Sequence, residues 1–180
     1  DTTAVAELIQ DRAQDSGFAR VLPLGALTKG LEGEQLAPMH ALATSGCIGF
    51  SNARQPVTSS MVLMRALEYA ATHDLLVVFQ AEDRSLVGNG CMHDGSTATR
   101  LGLIGIPAAA ETIEVARCLL LVEETGVRAH FGQLSCAGSV KLIEEARLQG
   151  LPVTADVSAH QLLLTDEQVD GFDSMFHVNP

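Results

Sequence analysis

Apolar residues recur along the chain in two patterns, one with the spacing of a helical face and one as continuous runs. The first pattern starts with Val5, Leu8 and Ile9, which follow a capping residue at Thr2 or Thr3. This spacing predicts a helix through Asp15, ended by Gly17. The same pattern predicts four further helices, at 32–44, 58–73, 107–125 and 138–149.

The continuous apolar runs lie between these helices and predict five strands, at 20–27, 47–50, 75–80, 127–134 and 152–157. Runs without polar alternation are typical of parallel strands that are buried on both faces and joined by right-handed helical crossovers. An open doubly wound sheet and part of a (β/α)8 TIM barrel both fit. We favour the barrel because the strands recur at similar spacing without a clear switch point.

The predicted fold class is therefore α/β, an incomplete TIM barrel of about five parallel strands, in a single domain over 1–180. The chain begins inside a predicted helix cap, lacks an initial Met and stops at Asn179-Pro180. We interpret it as a fragment, the central portion of the barrel, because roughly eight strands are needed for closure. Some apolar surface should then be left uncovered.

A glycine-rich stretch interrupts the regular alternation after Asp83 and ends at Pro107, a residue suited to a first helical turn. Its Gly88-Asn89-Gly90 could suggest a phosphate-binding loop, but the spacing of that motif would need glycine where His93 stands. We predict a flexible, lid-like loop here.

Composition narrows the function. The 180 residues are 47% hydrophobic, which is enough for one sizeable core. The formal net charge of −11 would repel nucleic acids and anionic membrane surfaces. No apolar run is long enough to span a bilayer, and we expect a cytoplasmic protein. Its four cysteines are far apart and are predicted to be reduced core thiols: Cys47, Cys91, Cys118 and Cys136.

Gln80 stands at the end of the third predicted strand, where parallel α/β folds place their ligands. A histidine there could bind zinc through a ring nitrogen, whereas a carboxamide is a poor ligand for a transition metal and does not titrate near neutral pH. Glu82 and Asp83 could coordinate a hard cation only with partners from elsewhere. The site therefore resembles that of a hydrolase without its chemistry.

Other reactive side chains give weaker indications. Ser135 beside Cys136 could be a nucleophile with His130 or His160 as base, but no G-x-S-x-G motif and no orienting carboxylate is evident. Glu111 and Glu114 are typical of a solvated helix face. Three further histidines are interpreted as surface or loop residues, namely His40, His73 and His93, and His177 gives no indication of a role.

Five segments carry a family resemblance, and they occur in order over essentially the whole chain. They are Ala-Glu-Asp-Arg-Ser-Leu at 81–86, Met-His-Asp-Gly at 92–95, the Gly-rich 100–107, Ala-Ala-Glu at 109–111, and 153–167 with the Asn179-Pro180 end. With them the chain resembles the class I dihydroorotases of the amidohydrolase superfamily. The resemblance implies a (β/α)8 barrel in which zinc activates a hydroxide that interconverts carbamoyl aspartate and dihydroorotate.

The resemblance also implies where zinc ligands should stand. A histidine of the family's H-x-E-D motif corresponds to Gln80, a second histidine before a Ser-Thr pair corresponds to Gln133, and an aspartate after an earlier strand corresponds to Ala53. None of these three residues is a zinc ligand. The family's H-x-H pair and final aspartate would lie outside this chain.

Two further residues, His130 and Asn179, bear on the interpretation of the zinc and substrate sites. Strand alternation places His130 on the face away from Gln133, so His130 should not substitute for the missing ligand without a bulge. Asn179 corresponds to an asparagine that hydrogen-bonds dihydroorotate in the family, and it is our one predicted substrate-binding residue. We predict no catalytic residue, and no cofactor unless zinc is bound.

Three hypotheses remain open. The leading one is a non-catalytic dihydroorotase-like protein of pyrimidine biosynthesis that forms an oligomer and acts as a structural scaffold for aspartate carbamoyltransferase. The second is an active metal-dependent dihydroorotase or cyclic amidohydrolase. The third is a binding module that senses a pyrimidine intermediate in a retained pocket.

Overall fold

The computed structural model describes residues 1–178, and its main sheet contains five parallel strands. In chain order, and omitting two short strands that pair elsewhere, these are β1 Leu24–Ala26, β2 Gly49–Ser51, β3 Val77–Phe79, β6 Ala129–Phe131 and β7 Val153–Ala155. Their order across the sheet is the order along the chain. A sheet without reversal of strand order is part of a barrel rather than a doubly wound sheet, which confirms the predicted incomplete TIM barrel.

Helices join these strands and cover one face of the sheet. They are α1 Thr3–Ser16, α2 Met39–Thr44, α3 Ser60–Thr72, α6 Ala109–Thr125 and α7 Ala137–Leu148. Four of the five predicted helices are confirmed to within about two residues. Gly17 ends α1 in the left-handed region at φ 63°, as its position in the sequence predicts, and Ser59 caps α3 by accepting the N–H of Val62.

The second predicted helix, at 32–44, is largely wrong. Only Met39–Thr44 is α-helical, while Lys29–Leu31 form a 3₁₀ turn and an isolated antiparallel bridge pairs Thr28 with Leu36. The reason is Pro38, since the residue before a proline is disfavoured in the helical region. The predicted strands are also too long. Pro23 has no N–H for a sheet partner, and β1 begins after it.

The core lies between the sheet and its helices. Register places Phe50, Val77, Ala129 and Val153 in one row on the helix-facing side, and all four are buried. Phe79 and Phe131 pack in the next row with ring centroids 5.1 Å apart. Apolar side chains of α3, α6 and α7 complete the cluster. The opposite face, which carries Val78 and His130, is only partly buried.

The glycine-rich stretch is not the loop predicted. It folds into α4 Arg84–Val87, β4 Met92–His93, α5 Ser96–Leu101 and β5 Gly105–Ile106, with β4 and β5 paired in parallel. Its glycines provide close packing: a Cβ at Gly90 would lie 2.4 Å from a side-chain carbon of Ile106, and one at Gly105 would lie 2.6 Å from Asp94 Cα. Glycine here permits contact between backbones rather than flexibility.

The exposed apolar surface agrees with the sequence predictions, and the burial of the cysteines agrees with them in part. Apolar side chains line a groove beside the edge strand β7, among them Val140, Leu148 and Val157, as expected for an incomplete barrel. Cys47 and Cys118 are buried, whereas Cys91 and Cys136 are half-buried, and all four are unbridged. Within residues 1–178, no helix is both long and apolar enough to cross a membrane.

Candidate functional site

The three residues at the expected ligand positions lie together at the carboxyl edge of the sheet. Ala53 follows β2, Gln80 follows β3 and Gln133 follows β6, and all three line one small cleft. These strands are adjacent in the sheet. The three residues therefore come together as strand direction predicts, because the carboxyl ends of parallel strands meet at one edge.

Gln80 and Gln133 are bound to each other. Nε2 of Gln80 donates a hydrogen bond of 2.9 Å to Oε1 of Gln133. Just beneath them, the backbone N–H of Gly132 donates to the carbonyl oxygen of Phe79 at 2.9 Å, which holds the two strand ends together. An amide nitrogen offers no lone pair to a metal, and of the two amide oxygens in this pair, Oε1 of Gln133 already accepts a hydrogen bond.

Ala53 contributes only a methyl group. Its φ of 50° lies in the left-handed region, which is unfavourable for alanine and better tolerated by asparagine and aspartate. Its N–H donates to the hydroxyl of Ser51 at 3.0 Å. The backbone at this position therefore has the shape that suits an aspartate, while the side chain does not.

These side chains do not fit a zinc ion. Two amides that are hydrogen-bonded to each other and one methyl group provide neither imidazole nitrogen nor carboxylate. Among the residues that the structure describes, no three histidine, cysteine, aspartate or glutamate side chains converge in a way that could hold a metal.

The loop that carries Ala53 is held by a buried polar pair that sequence reasoning missed. Asn52 Oδ1 accepts from the hydroxyl of Thr28 at 2.6 Å, and its Nδ2 donates to the carbonyl oxygens of Leu31 and Gln55. Thr28 and Asn52 are both buried. The signal available in the sequence was an asparagine directly after a strand, where its amide can bond neighbouring backbone.

His130 and Asp156 form a second polar contact at the same edge. Nε2 of His130 donates to Oδ2 of Asp156 at 2.9 Å, and Nδ1 is hydrogen-bonded to Oγ1 of Thr154 at 2.8 Å. The other carboxylate oxygen accepts the backbone N–H of Gln133 at 2.7 Å. These bonds lower the pKa of Asp156, chiefly the one from Gln133 and next the one from His130.

The separation of His130 from Gln133 was predicted from strand alternation, which does not extend to Gln133. Strand alternation applies only as far as Phe131, where β6 ends, and Gln133 adopts a φ of 59°. This left-handed conformation lets the Gln133 N–H reach the same carboxylate that His130 contacts. Asp156 was the missed residue, and its signal was a carboxylate directly after a strand end.

Glu82 and Asp83 do not provide a cation site. Asp83 caps α4, accepting from the N–H and the hydroxyl of Ser85, and its pKa is lowered mainly by the Ser85 hydroxyl. Glu82 forms a long ion pair with Arg84 at 3.9 Å. The two carboxylates serve the local structure of the α4 start.

Ser135 does have a carboxylate partner, which corrects the sequence interpretation. Its hydroxyl and its N–H donate to Oε2 of Glu111, and the N–H of Cys136 donates to Oε1. Glu114 forms a close ion pair with Arg117, whose guanidinium also donates to Val57 O. Glu111 and Glu114 are thus not on a solvated face. Glu111 anchors the start of α7, and nothing in these contacts pairs Ser135 with a histidine base.

The other predicted histidines stay apart from the cleft. His40 and His73 are exposed and stacked, with ring centroids 4.4 Å apart. His93 lies on β4 rather than in a loop, and His160 lies in a 3₁₀ turn outside the cleft lining. His177 is exposed. Asn179, the predicted substrate-binding residue, lies outside the described residues.

Sequence comparison gives a family match over most of the chain. A family model described as Dihydro-orotase-like matches residues 1–139. A protein of Pseudomonas putida named "Dihydroorotase-like protein" is 56% identical over 180 residues, which are 100% of this chain and 42% of that protein. A "Dihydroorotase" of Syntrophobacter fumaroxidans is 47% identical over 100% of this chain and 41% of its own length. The chain thus spans less than half the length of these relatives.

Comparison with solved structures concerns the fold. The L-hydantoinase (dihydropyrimidinase) from Arthrobacter aurescens superposes with a TM-score of 0.65 at 20% identity, covering 82% of this chain and 34% of that chain. A D-hydantoinase from Bacillus sp. AR9 gives 0.58 at 20% identity, over 84% and 34%. These matches support the incomplete TIM barrel.

Proposed function

The chain belongs to the dihydroorotase-like family, and from this membership we propose a non-catalytic member of pyrimidine biosynthesis that acts as a structural scaffold for aspartate carbamoyltransferase. The observation that carries the proposal is the hydrogen bond between Gln80 and Gln133, which occupies two positions where the family resemblance requires zinc-binding histidines.

The chemistry explains why this contact matters. Metal-dependent hydrolysis of a cyclic amide needs donors that hold a cation firmly enough to lower the pKa of its bound water. The amides of Gln80 and Gln133 are hydrogen-bonded to each other instead, and Ala53 adds only a methyl group. Asp156 contacts the backbone N–H of Gln133, and both oxygens of its carboxylate already accept hydrogen bonds.

The proposed scaffold role is supported by the preserved fold and by the names of two relatives, rather than by the chemistry of the cleft. A barrel that keeps its helix-covered core while its site lacks donors can still present a surface to a partner. The enzyme that supplies carbamoyl aspartate is the partner we propose, because it precedes the family's reaction. The two relatives at 56% and 54% identity, from Pseudomonas putida and Pseudomonas aeruginosa, carry the name "Dihydroorotase-like protein" rather than "Dihydroorotase".

The test uses the full-length protein purified together with aspartate carbamoyltransferase. We expect the two to elute as one species on sizing, with no stoichiometric metal by elemental analysis and no turnover of dihydroorotate. A dihydroorotase such as the Syntrophobacter relative is the positive control for the assay. Tightly bound metal together with dihydroorotate turnover would defeat the non-catalytic proposal, and separate elution would defeat the scaffold role.

A second candidate is an active metal-dependent dihydroorotase or cyclic amidohydrolase. It is favoured by the 47% identity, along the whole chain, to a protein named "Dihydroorotase". In this case donors from the rest of the protein would hold the metal. The unmodified protein would then turn over dihydroorotate, and the Gln80→His/Gln133→His double variant would change its rate little.

A further inference from the structure

We propose that the side chains at the carboxyl edge form a metal-independent clamp that ties β3, β6 and β7 together, in place of the cross-link that a bridging cation would provide. The clamp consists of Gln80, Gln133, Asp156, His130 and Thr154. It rests on the proposed function only in taking Gln80 and Gln133 as positions where ligands have been replaced.

The first half of the clamp joins β3 to β6. These strands end at Phe79 and Phe131, and their backbone pairing continues only to the bond from Gly132 N–H to Phe79 O. Beyond that point the Gln80–Gln133 hydrogen bond is the contact that spans the two strand ends. A metal bound by one side chain from each strand would cross-link them at the same place.

The second half joins β6 to β7. Oδ1 of Asp156 accepts the N–H of Gln133, and Oδ2 accepts Nε2 of His130. The His130 ring also contacts Thr154, so one side chain of β6 and one backbone N–H of its extension bond to two side chains of β7 and its extension. Charge-assisted bonds to a carboxylate are the stronger class of hydrogen bond.

Gln133 connects the two halves. Its side chain accepts from Gln80 while its backbone N–H donates to Asp156, and its left-handed φ of 59° turns the two groups toward different strands. Bonds that share a residue are coupled, so loss of one should weaken its neighbour. Because both hydrogen bonds involve Gln133, we treat these contacts as one coupled unit rather than as independent surface contacts.

The experiment measures the thermal midpoint of the full-length protein, with and without EDTA, for Gln80→Ala, Gln133→Ala and the double variant. Each single change should lower the midpoint by about 2–4 °C, and the double variant by about as much as Gln133→Ala alone. EDTA should leave the unmodified protein unchanged. Gln55→Ala is the matched control, because Gln55 lies on the rim of the same cleft outside the clamp.

A second measurement follows the clamp directly. Hydrogen exchange at the Gln133 amide should become about tenfold faster in Asp156→Ala, since that amide loses its acceptor. Additive or absent effects of the glutamine variants, or unchanged exchange at Gln133, would overturn the clamp. So would an EDTA-induced fall in the midpoint that Gln80→Ala abolishes. Separate elution from aspartate carbamoyltransferase would overturn the scaffold role alone, and leave the clamp intact.

Discussion

The two main regions of the sheet are stabilised by different interactions. The helix-facing side is a continuous apolar layer that includes Phe50, Phe79 and Phe131. The carboxyl edge is a chain of polar contacts through Gln80, Gln133 and Asp156. Because apolar burial dominates folding free energy, the first region can maintain the fold whichever polar side chains stand in the second. The comparison separates the residues that stabilise the fold from the residues that line the cleft.

Phe131→Ala tests the apolar side and should have the largest effect. Phe131 is fully buried against Phe79, so its removal leaves a cavity and should lower the free energy of unfolding by about 3–5 kcal/mol. Urea unfolding of the full-length protein measures this change. Phe18→Ala is the control because Phe18 is 96% exposed, and it should change stability by less than about 0.5 kcal/mol. Equal losses of stability in the two variants would contradict the conclusion that the apolar layer stabilises the fold.

Asn52→Ala tests whether a buried polar contact can matter as much as apolar packing. The substitution leaves the Thr28 hydroxyl and the Leu31 carbonyl oxygen without their partner in a buried place. We expect a loss of about 1–3 kcal/mol by the same urea measurement. Asn89→Ala is the matched control on an exposed loop. A loss no larger than that of the control would mean that water replaces the Asn52 amide.

The carboxyl edge should respond to acid where the apolar layer does not. The pKa of Asp156 is lowered in the folded protein, so its contribution is fully present above the unfolded-state pKa of about 4 and is lost as pH falls through the folded value. Because Asp156 is largely exposed, this contribution should be below about 1 kcal/mol. Unfolding curves between pH 7 and 2 should show a smaller acid-induced loss for Asp156→Asn than for the unmodified protein. Parallel losses in both proteins would contradict the assignment.

Ala53→Gly should have the smallest effect and the opposite sign. Glycine adopts the left-handed conformation of position 53 without the steric penalty of a Cβ, although it adds freedom to the unfolded chain. We expect a net gain of about 0.5 kcal/mol. Ala43→Gly, within α2, is the contrasting substitution and should be destabilising. A loss at both positions would mean that the backbone at Ala53 relaxes out of the left-handed region.

Sequence patterns predicted the long elements and the grouping of three residues at one edge of the sheet, but not the contacts that these residues make. The helix Ser60–Thr72 was predictable because its cap and apolar spacing are local features. The grouping of Ala53, Gln80 and Gln133 followed from strand direction. The Gln133 contact with Asp156 was not predictable, because it depends on a left-handed residue that interrupts strand alternation. The paired strands β4 and β5 were missed because glycines that allow close backbone packing look like glycines that give flexibility.

The packing of Gly90 against Ile106 has a consequence for substitutions in residues 84–106. Residues 84–106 sit between β3 and α6, and the N–H of Asp83 at their base donates to the carbonyl oxygen of Ala110. The segment is hydrogen-bonded to α6 at its start and is closely packed at Gly90 and Gly105. A bulkier residue at position 90 would therefore have to displace Ile106 and the carbonyl oxygens of Val87 and Gly105, which would separate β5 from the turn that precedes β4.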